Sequence, residues 1–154
     1  MIDKLIAFAK TTPYFNLEGY MNRDWLVPYN GNFGIRIHQI LKDDDDRALH
    51  DHPWPNTSIV LKGGYWEIMP ENESQDPSLD HVLYSKAWRE AGDIIERQAN
   101  TRHRIVIPKG QTATSMFIMG KLEQDWGFYT PTGKVYWREY LDDWTTETTT
   151  DKPK

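Results

Sequence analysis

The chain has 154 residues, seven Trp, eight Tyr, no Cys and a formal net charge of -5. That length suits one domain with a full hydrophobic core, and the aromatic content exceeds what a disordered chain carries. The missing cysteines exclude disulfides, thiolate metal sites and a thiol nucleophile, and the negative balance argues against a surface that tracks nucleic-acid phosphates.

In chain order, Ile2, Leu5, Ile6 and Ala9 recur at helical spacing, so residues 1–12 are expected to hold a short amphipathic helix closed by Thr11, Thr12 and Pro13. The opening MIDKLIAFAK has neither the basic start nor the apolar core of a secretion signal. No window approaches the roughly 18 apolar residues of a spanning helix. A cytoplasmic protein with no membrane partner is therefore expected.

Beyond residue 12 the pattern changes to short β-type runs. Strands are expected at Trp25–Tyr29, Phe33–Leu41, Thr57–Leu61, Tyr65–Met69, Val82–Trp88, Asp93–Arg97, Arg104–Ile107, Ala113–Met119, Gly127–Tyr129 and Lys134–Tyr140. The breaks fall at turn-forming stretches: YNGN 29–32, KGG 62–64, PKG 108–110 and PTG 131–133. Many short strands in one modest domain imply a sandwich or barrel whose interior can hold a ligand. The run KDDDDR (42–47) reads as a solvated loop, because adjacent carboxylates repel and no calcium-loop spacing surrounds them. The tail 145–154 is polar and unpatterned.

The stretch ALHDHPW (48–54) sets His50 and His52 two residues apart. In extended backbone such residues point to the same side, so both imidazoles can enter one cavity. Alone, the pair reads equally as hydrogen-bonded polar groups at the mouth of a strand. A third histidine, His103, ends the turn in GDIIERQANTRHRIVIP (92–108), which leads from one strand into another.

These stretches resemble the two motifs of the cupin superfamily. His50, His52, Gly63 and Gly64 are similar to the first, which in outline runs glycine, HxH, a glutamate, then glycine. Gly92 and His103 are similar to the second at the expected separation, with Gln98 and Asn100 where the family has proline and glycine. Asn tolerates a left-handed turn conformation better than most residues, so Asn100 can serve there. The resemblance covers about Phe33 to Tyr140. It implies an all-β cupin jelly-roll barrel (a double-stranded β-helix) with a short N-terminal helix, one domain over 1–144 and a tail at 145–154. It also implies a metal centre on His50, His52 and His103. Where the family's glutamate ligand would stand, this chain has Asn56 and Thr57. The implied shell is thus three neutral imidazoles, which suits iron, zinc, nickel or copper better than magnesium or calcium. Ferrous iron, Fe(II), is the ion expected first. Its uncompensated charge favours a small anionic, chelating substrate.

Within the cupins the layout is most similar to the thiol dioxygenases typified by cysteine dioxygenase. HDH (50–52), LKGGYWE (61–67, read as a hairpin), HRI (103–105) and NGNFGIRIHQIL (30–41) all have counterparts there. That resemblance implies three histidines on ferrous iron and an arginine, Arg23, holding a substrate carboxylate. The family's late-strand histidine and tyrosine correspond to Ile118 and Gly120, and the cysteine some members cross-link corresponds to Thr57. The overall pattern is also similar to small bacterial and phage cupins.

Other residues are candidates for the pocket. On strand 33–41, Ile35 and Ile37 alternate with Arg36 and His38. Patterning sends the isoleucines inward and Arg36 and His38 to a wet face. Turned inward instead, Arg36 adds a cation and His38 a proton carrier. Trp54 and Trp66 can wall the pocket or fill the core. Glu67 can orient a ligand imidazole or face solvent. Strand parity puts Arg102 and Arg104 on the side opposite His103, as surface groups. Three functions follow as expectations: a ferrous oxygenase for a small anion, a zinc- or nickel-type isomerase or hydrolase, or a non-catalytic binding barrel. The aromatic hairpin 126–141 is expected to cover one barrel end or to make a homodimer contact.

Overall fold

A computed structural model describes residues 1–14, 20–42, 48–72 and 83–141. Residues 43–47 of the charged run, His81 and the Thr-rich tail lie outside them. One helix, α1 (Ile2–Ala9), precedes ten strands: β1 (Met21–Val27), β2 (Gly34–Ile40), β3 (Leu49–His50), β4 (Asn56–Pro70), β5 (Tyr84–Glu90), β6 (Ile94–Arg97), β7 (Arg104–Val106), β8 (Ala113–Met119), β9 (Gly127–Thr130) and β10 (Gly133–Tyr136). Residues 137–141 turn helical where the sequence pattern extends a strand to Tyr140. Among the described residues, no helix is long and apolar enough to cross a membrane.

The strands order as β1-β2-β8-β4-β5, with β6 and β7 also on β4, while β10-β9-β3 form a smaller sheet. Every named pairing is antiparallel. β4 joins the two walls of the barrel. Its first residues pair with β6, from Asn56↔Arg97 to Ile59↔Ile94. Its second half pairs with β5, from Gly64↔Glu90 to Pro70↔Tyr84, and with β7.

This continuity corrects the reading of KGG as a turn and of 61–67 as a hairpin. Partners on both sides hold β4 extended for 15 residues, and the register against β8 shifts between Val60 and Lys62. The glycines serve that bulge instead. Gly63 has φ +67°, and a Cβ there would lie 2.3 Å from the Thr112 carbonyl oxygen; one at Gly64 would lie 2.5 Å from the Trp88 ring.

Met21, Ile40, Val60, Tyr65, Ile95, Ile107 and Ala113 form the core cluster, each large aliphatic among them worth about 1.5–3 kcal/mol on burial. α1 packs on β1 and β2, with Ala9 fully buried and Asp3 paired to Lys62 at the bulge. Because β2 is covered on both faces, alternation misassigns it. Arg36 is buried alongside Ile37 and Ile40, and the His38 ring stacks on Phe117. The expectation of a wet face for Arg36 and His38 is therefore overturned: strand parity puts them with Ile40, on the barrel's inner side.

Candidate metal centre

Two distant segments are zipped together to build the site. The His50 amide donates to the His103 carbonyl at 2.9 Å and the His103 amide donates back at 3.0 Å. One residue pair on, the His52 amide donates to the Ala99 carbonyl at 2.9 Å. Extended backbone across 50–52 turns both imidazoles the same way and Asp51 the other. His50, His52 and His103 each offer one nitrogen, and these lie within 4.8 Å of one another. The ring centroids are 4.9 to 5.3 Å apart.

Glu67 stands behind His103. Its Oε1 accepts from His103 Nδ1 at 2.8 Å and from Arg97 Nε at 2.6 Å, and its Oε2 accepts from Arg89 Nε at 2.8 Å. With Nδ1 so engaged, Nε2 is the nitrogen His103 presents to the other two rings. Arg97 also donates to Ser58 Oγ at 3.0 Å and Asn56 Oδ1 at 3.3 Å. Burial pushes the Glu67 pKa up, but the hydrogen bonds and charges of His103 and Arg97 outweigh it and hold the carboxyl well below the usual range. Asn56 is thus spent on Arg97 and Trp54.

Aromatic rings wall the imidazoles. Trp54 stacks on His52 at 5.9 Å, Phe117 lies 5.7 Å from His52, and Trp126 and Phe128 lie 6.1 and 5.7 Å from His50. The β9–β10 hairpin and the helical turn that follows it close this end, Trp126 stacking on Trp137 and Phe128 on Tyr140. Burial, with the neighbouring His103 and His50 adding to it, pushes the His52 pKa well below its ordinary value. Its lone pairs are therefore available at neutral pH. His52 Nδ1 is buried without a hydrogen-bond partner, a loss of about 1–3 kcal/mol unless something coordinates the ring. An all-nitrogen set of three, one ring oriented by a carboxylate, fits a divalent transition ion such as iron, zinc, nickel or copper.

The other candidates are dispersed. Trp54 is at the site. Trp66 is not: it packs on Trp88 at 5.2 Å under Lys86, on the β4 face opposite Glu67. Arg23 pairs in register with His38 and its guanidinium lies 4.9 Å above the Tyr14 ring. His38 and His52 both pack on Phe117, at 4.8 and 5.7 Å between ring centroids. Arg102 covers the Tyr129 ring at 5.2 Å.

Two contributors went unread in the sequence, Phe117 and Asp51, and Arg97, one of three basic residues around His103, serves Glu67. Asp51 is fully buried and accepts from Gly127 N (2.9 Å), Tyr129 OH (2.8 Å), Gln124 Nε2 (3.1 Å) and Lys134 Nζ (2.7 Å). Its signal was present, since a residue between two inward histidines must point outward, and here β9 and β10 cover that side.

No protein-family model matches the sequence, and no curated protein matches it. Solved structures do. DMSP lyase DddQ from Ruegeria pomeroyi has TM-score 0.59 and 13% identity, over 86% of this chain and 68% of that one. An uncharacterized conserved protein with a double-stranded β-helix domain from Klebsiella pneumoniae has TM-score 0.55 and 12% identity, over 81% and 93%. An RmlC-like cupin from Shewanella frigidimarina has TM-score 0.54 and 15% identity, over 76% and 90%. The fold is the double-stranded β-helix of the cupins.

Proposed function

We propose that this chain is a metal-dependent cupin enzyme of the ferrous oxygenase type, acting on a small anionic substrate. The observation that carries the reading is the convergence of three imidazole nitrogens within 4.8 Å, with Glu67 orienting one of them. A ferrous ion held there supplies Lewis acidity and one-electron redox chemistry. His50, His52 and His103 hold it; Glu67 keeps His103 in one tautomer and orientation. Trp54, Phe117, Trp126 and Phe128 keep water from the rings they touch.

Redox chemistry is favoured over hydrolysis or isomerisation, both of which need a proton carrier beside the substrate, because the side chains stacked around His50 and His52 are Trp54, Phe117, Trp126 and Phe128. An anionic substrate is supported by three neutral ligands, which leave the ion's charge uncompensated.

The test is elemental analysis of protein purified without chelators or a metal-affinity tag, beside a His103→Ala variant of matched circular dichroism. Near-stoichiometric iron in the wild type, lost in the variant, is expected. Oxygen uptake should then appear with one of a panel of thiols, β-diketones or small acids. Stoichiometric zinc without iron-dependent uptake would replace this reading by the Lewis-acid one, and retention of metal by His103→Ala would end both.

A further inference from the structure

A run of oxidisable rings leads outward from the three imidazoles. Trp126 lies 6.1 Å from the His50 ring and stacks on Trp137 at 5.6 Å, their planes 8° apart. Trp137 in turn lies 5.9 Å from Tyr136. Trp126 precedes β9 and Trp137 follows β10, and the Trp137 amide donates to the Trp126 carbonyl at 3.3 Å, so the hairpin itself fixes the stack. The run ends at a cavity of about 390 Å³ lined by Asp125, Trp126, Lys134, Tyr136 and Glu139.

Packing alone would be met by Leu or Phe, whereas indole and phenol rings give up one electron far more readily. The other rings on the imidazoles are poorer exits. Phe128, 5.7 Å from His50, resists one-electron oxidation and so insulates Tyr140 behind it. Trp54, on His52, has the buried Arg36 guanidinium 5.8 Å away, and that cation opposes a positive charge on the indole. Around Trp126 the charges run the other way. Lys134 is paired with Asp51 at 2.7 Å, which leaves the carboxylates of Asp125 and Glu139 to set the sign of the cavity. Arg138 lies 5.0 Å over Trp137, but it is exposed and screened by water. Its charge favours passing a hole on to Tyr136, a partly exposed phenol that can shed the positive charge as a proton.

We propose that Trp126, Trp137 and Tyr136 form an electron relay between the metal centre and the cavity, where a small reductant discharges it. The relay rests on the ferrous oxygenase reading above. Dioxygen reduced at the centre with no substrate bound takes electrons from the nearest side chains, the ligand imidazoles among them, and a redox site must divert such side reactions. In the relay, one electron leaves Tyr136 and, through Trp137 and Trp126, reduces the centre by one. The phenolic proton passes to water or to a carboxylate of the cavity, leaving a neutral phenoxyl radical. A small hydrogen-atom donor, a thiol or an enediol such as ascorbate, then restores Tyr136 and is itself oxidised by one electron.

The test follows side chains rather than turnover. The full chain, loaded with ferrous ion and assayed for iron content, is mixed with dioxygen without substrate, then frozen for electron paramagnetic resonance and digested for mass spectrometry. A tyrosyl signal and oxidation products at Trp137 and Tyr136 are expected in wild type, with the signal lost in Tyr136→Phe and quenched by ascorbate. In Trp126→Phe the Tyr136 products should be lost, while products on His50, His52 and Trp54 rise. Trp137→Phe, one ring further from His50, should act likewise and takes over if Trp126→Phe fails to hold iron. Tyr136 products that persist in whichever of the two holds iron, or iron-loaded wild type that oxidises His50, His52 or Trp54 before Tyr136, overturn the relay. A wild type that retains no iron removes the ferrous reading and the relay together, and the iron assay separates that result from failure of the relay alone.

Discussion

Replacing Glu67 by Gln keeps the shape of the side chain and removes its charge, which makes the change a direct probe of what holds His103. Glu67 is 1% exposed and accepts from His103, Arg97 and Arg89 within 2.6 to 2.8 Å. Its carboxyl is held well below the usual range, so the charge is present throughout the neutral range. Glutamine leaves the Arg97 guanidinium buried without a counter-charge and turns an amide N–H₂ toward a donor. Breaking a buried pair from one side costs about 3–5 kcal/mol, a large share of the roughly 5–15 kcal/mol that holds a domain together. At about 2–4 °C per kcal/mol for a chain of this size, Tm should fall by roughly 10 °C. With His103 no longer oriented, zinc affinity should fall about 10–100-fold. Urea unfolding followed by tryptophan fluorescence reads the first quantity and competition with a chromophoric chelator the second. The double variant Glu67→Leu/Arg97→Met removes both charges and should regain stability without regaining metal. A Glu67→Gln protein within about 1 kcal/mol of wild type, with unchanged zinc affinity, would refute the reasoning.

Further outcomes follow from the same contacts. Asp51→Asn should lower stability by about 1–3 kcal/mol, because a buried amide N–H₂ then faces the donors that Asp51 accepts from, and should weaken zinc binding, because the backbone between two ligands loses its anchor; equal zinc affinity would count against that anchoring. Lowered His38 and His52 pKa values mean that the unfolded chain takes up protons below pH 6.5 which the fold refuses. Their contribution is therefore intact above 6.5 and declines as the pH falls below it. From pH 7.5 to 5.5 the metal-free protein should therefore lose stability, and His38→Gln should lose less over the same range in urea unfolding; equal pH dependence in variant and wild type would contradict the burial of His38. Gly63→Ala should cost more than about 2 kcal/mol, since its Cβ would meet the Thr112 carbonyl at 2.3 Å. Gly110→Ala shares a positive φ but meets nothing within 4 Å, and should cost only about 1 kcal/mol by thermal melts.

The sequence by itself determined which residues could become the site. HxH on extended backbone aims two imidazoles one way whatever surrounds them, because side chains alternate with period two. His103 beyond a turn, and the spacing of both motifs, pointed to the barrel now seen. The residues misplaced from sequence share one cause. Period-two patterning presumes that one face of a strand meets water, yet β2 is covered on both sides, so Arg36 and His38 went inward against the pattern. KGG has the composition of a turn, and only partners on both edges of β4 decide that it is a bulge. Glu67, Arg97 and Asp51 are ordinary charged residues in the chain. They matter because pairing across the sheets brings Glu67 to His103 and Arg97, and lays β9 and β10 over Asp51, with buried charge tolerated only where such partners meet.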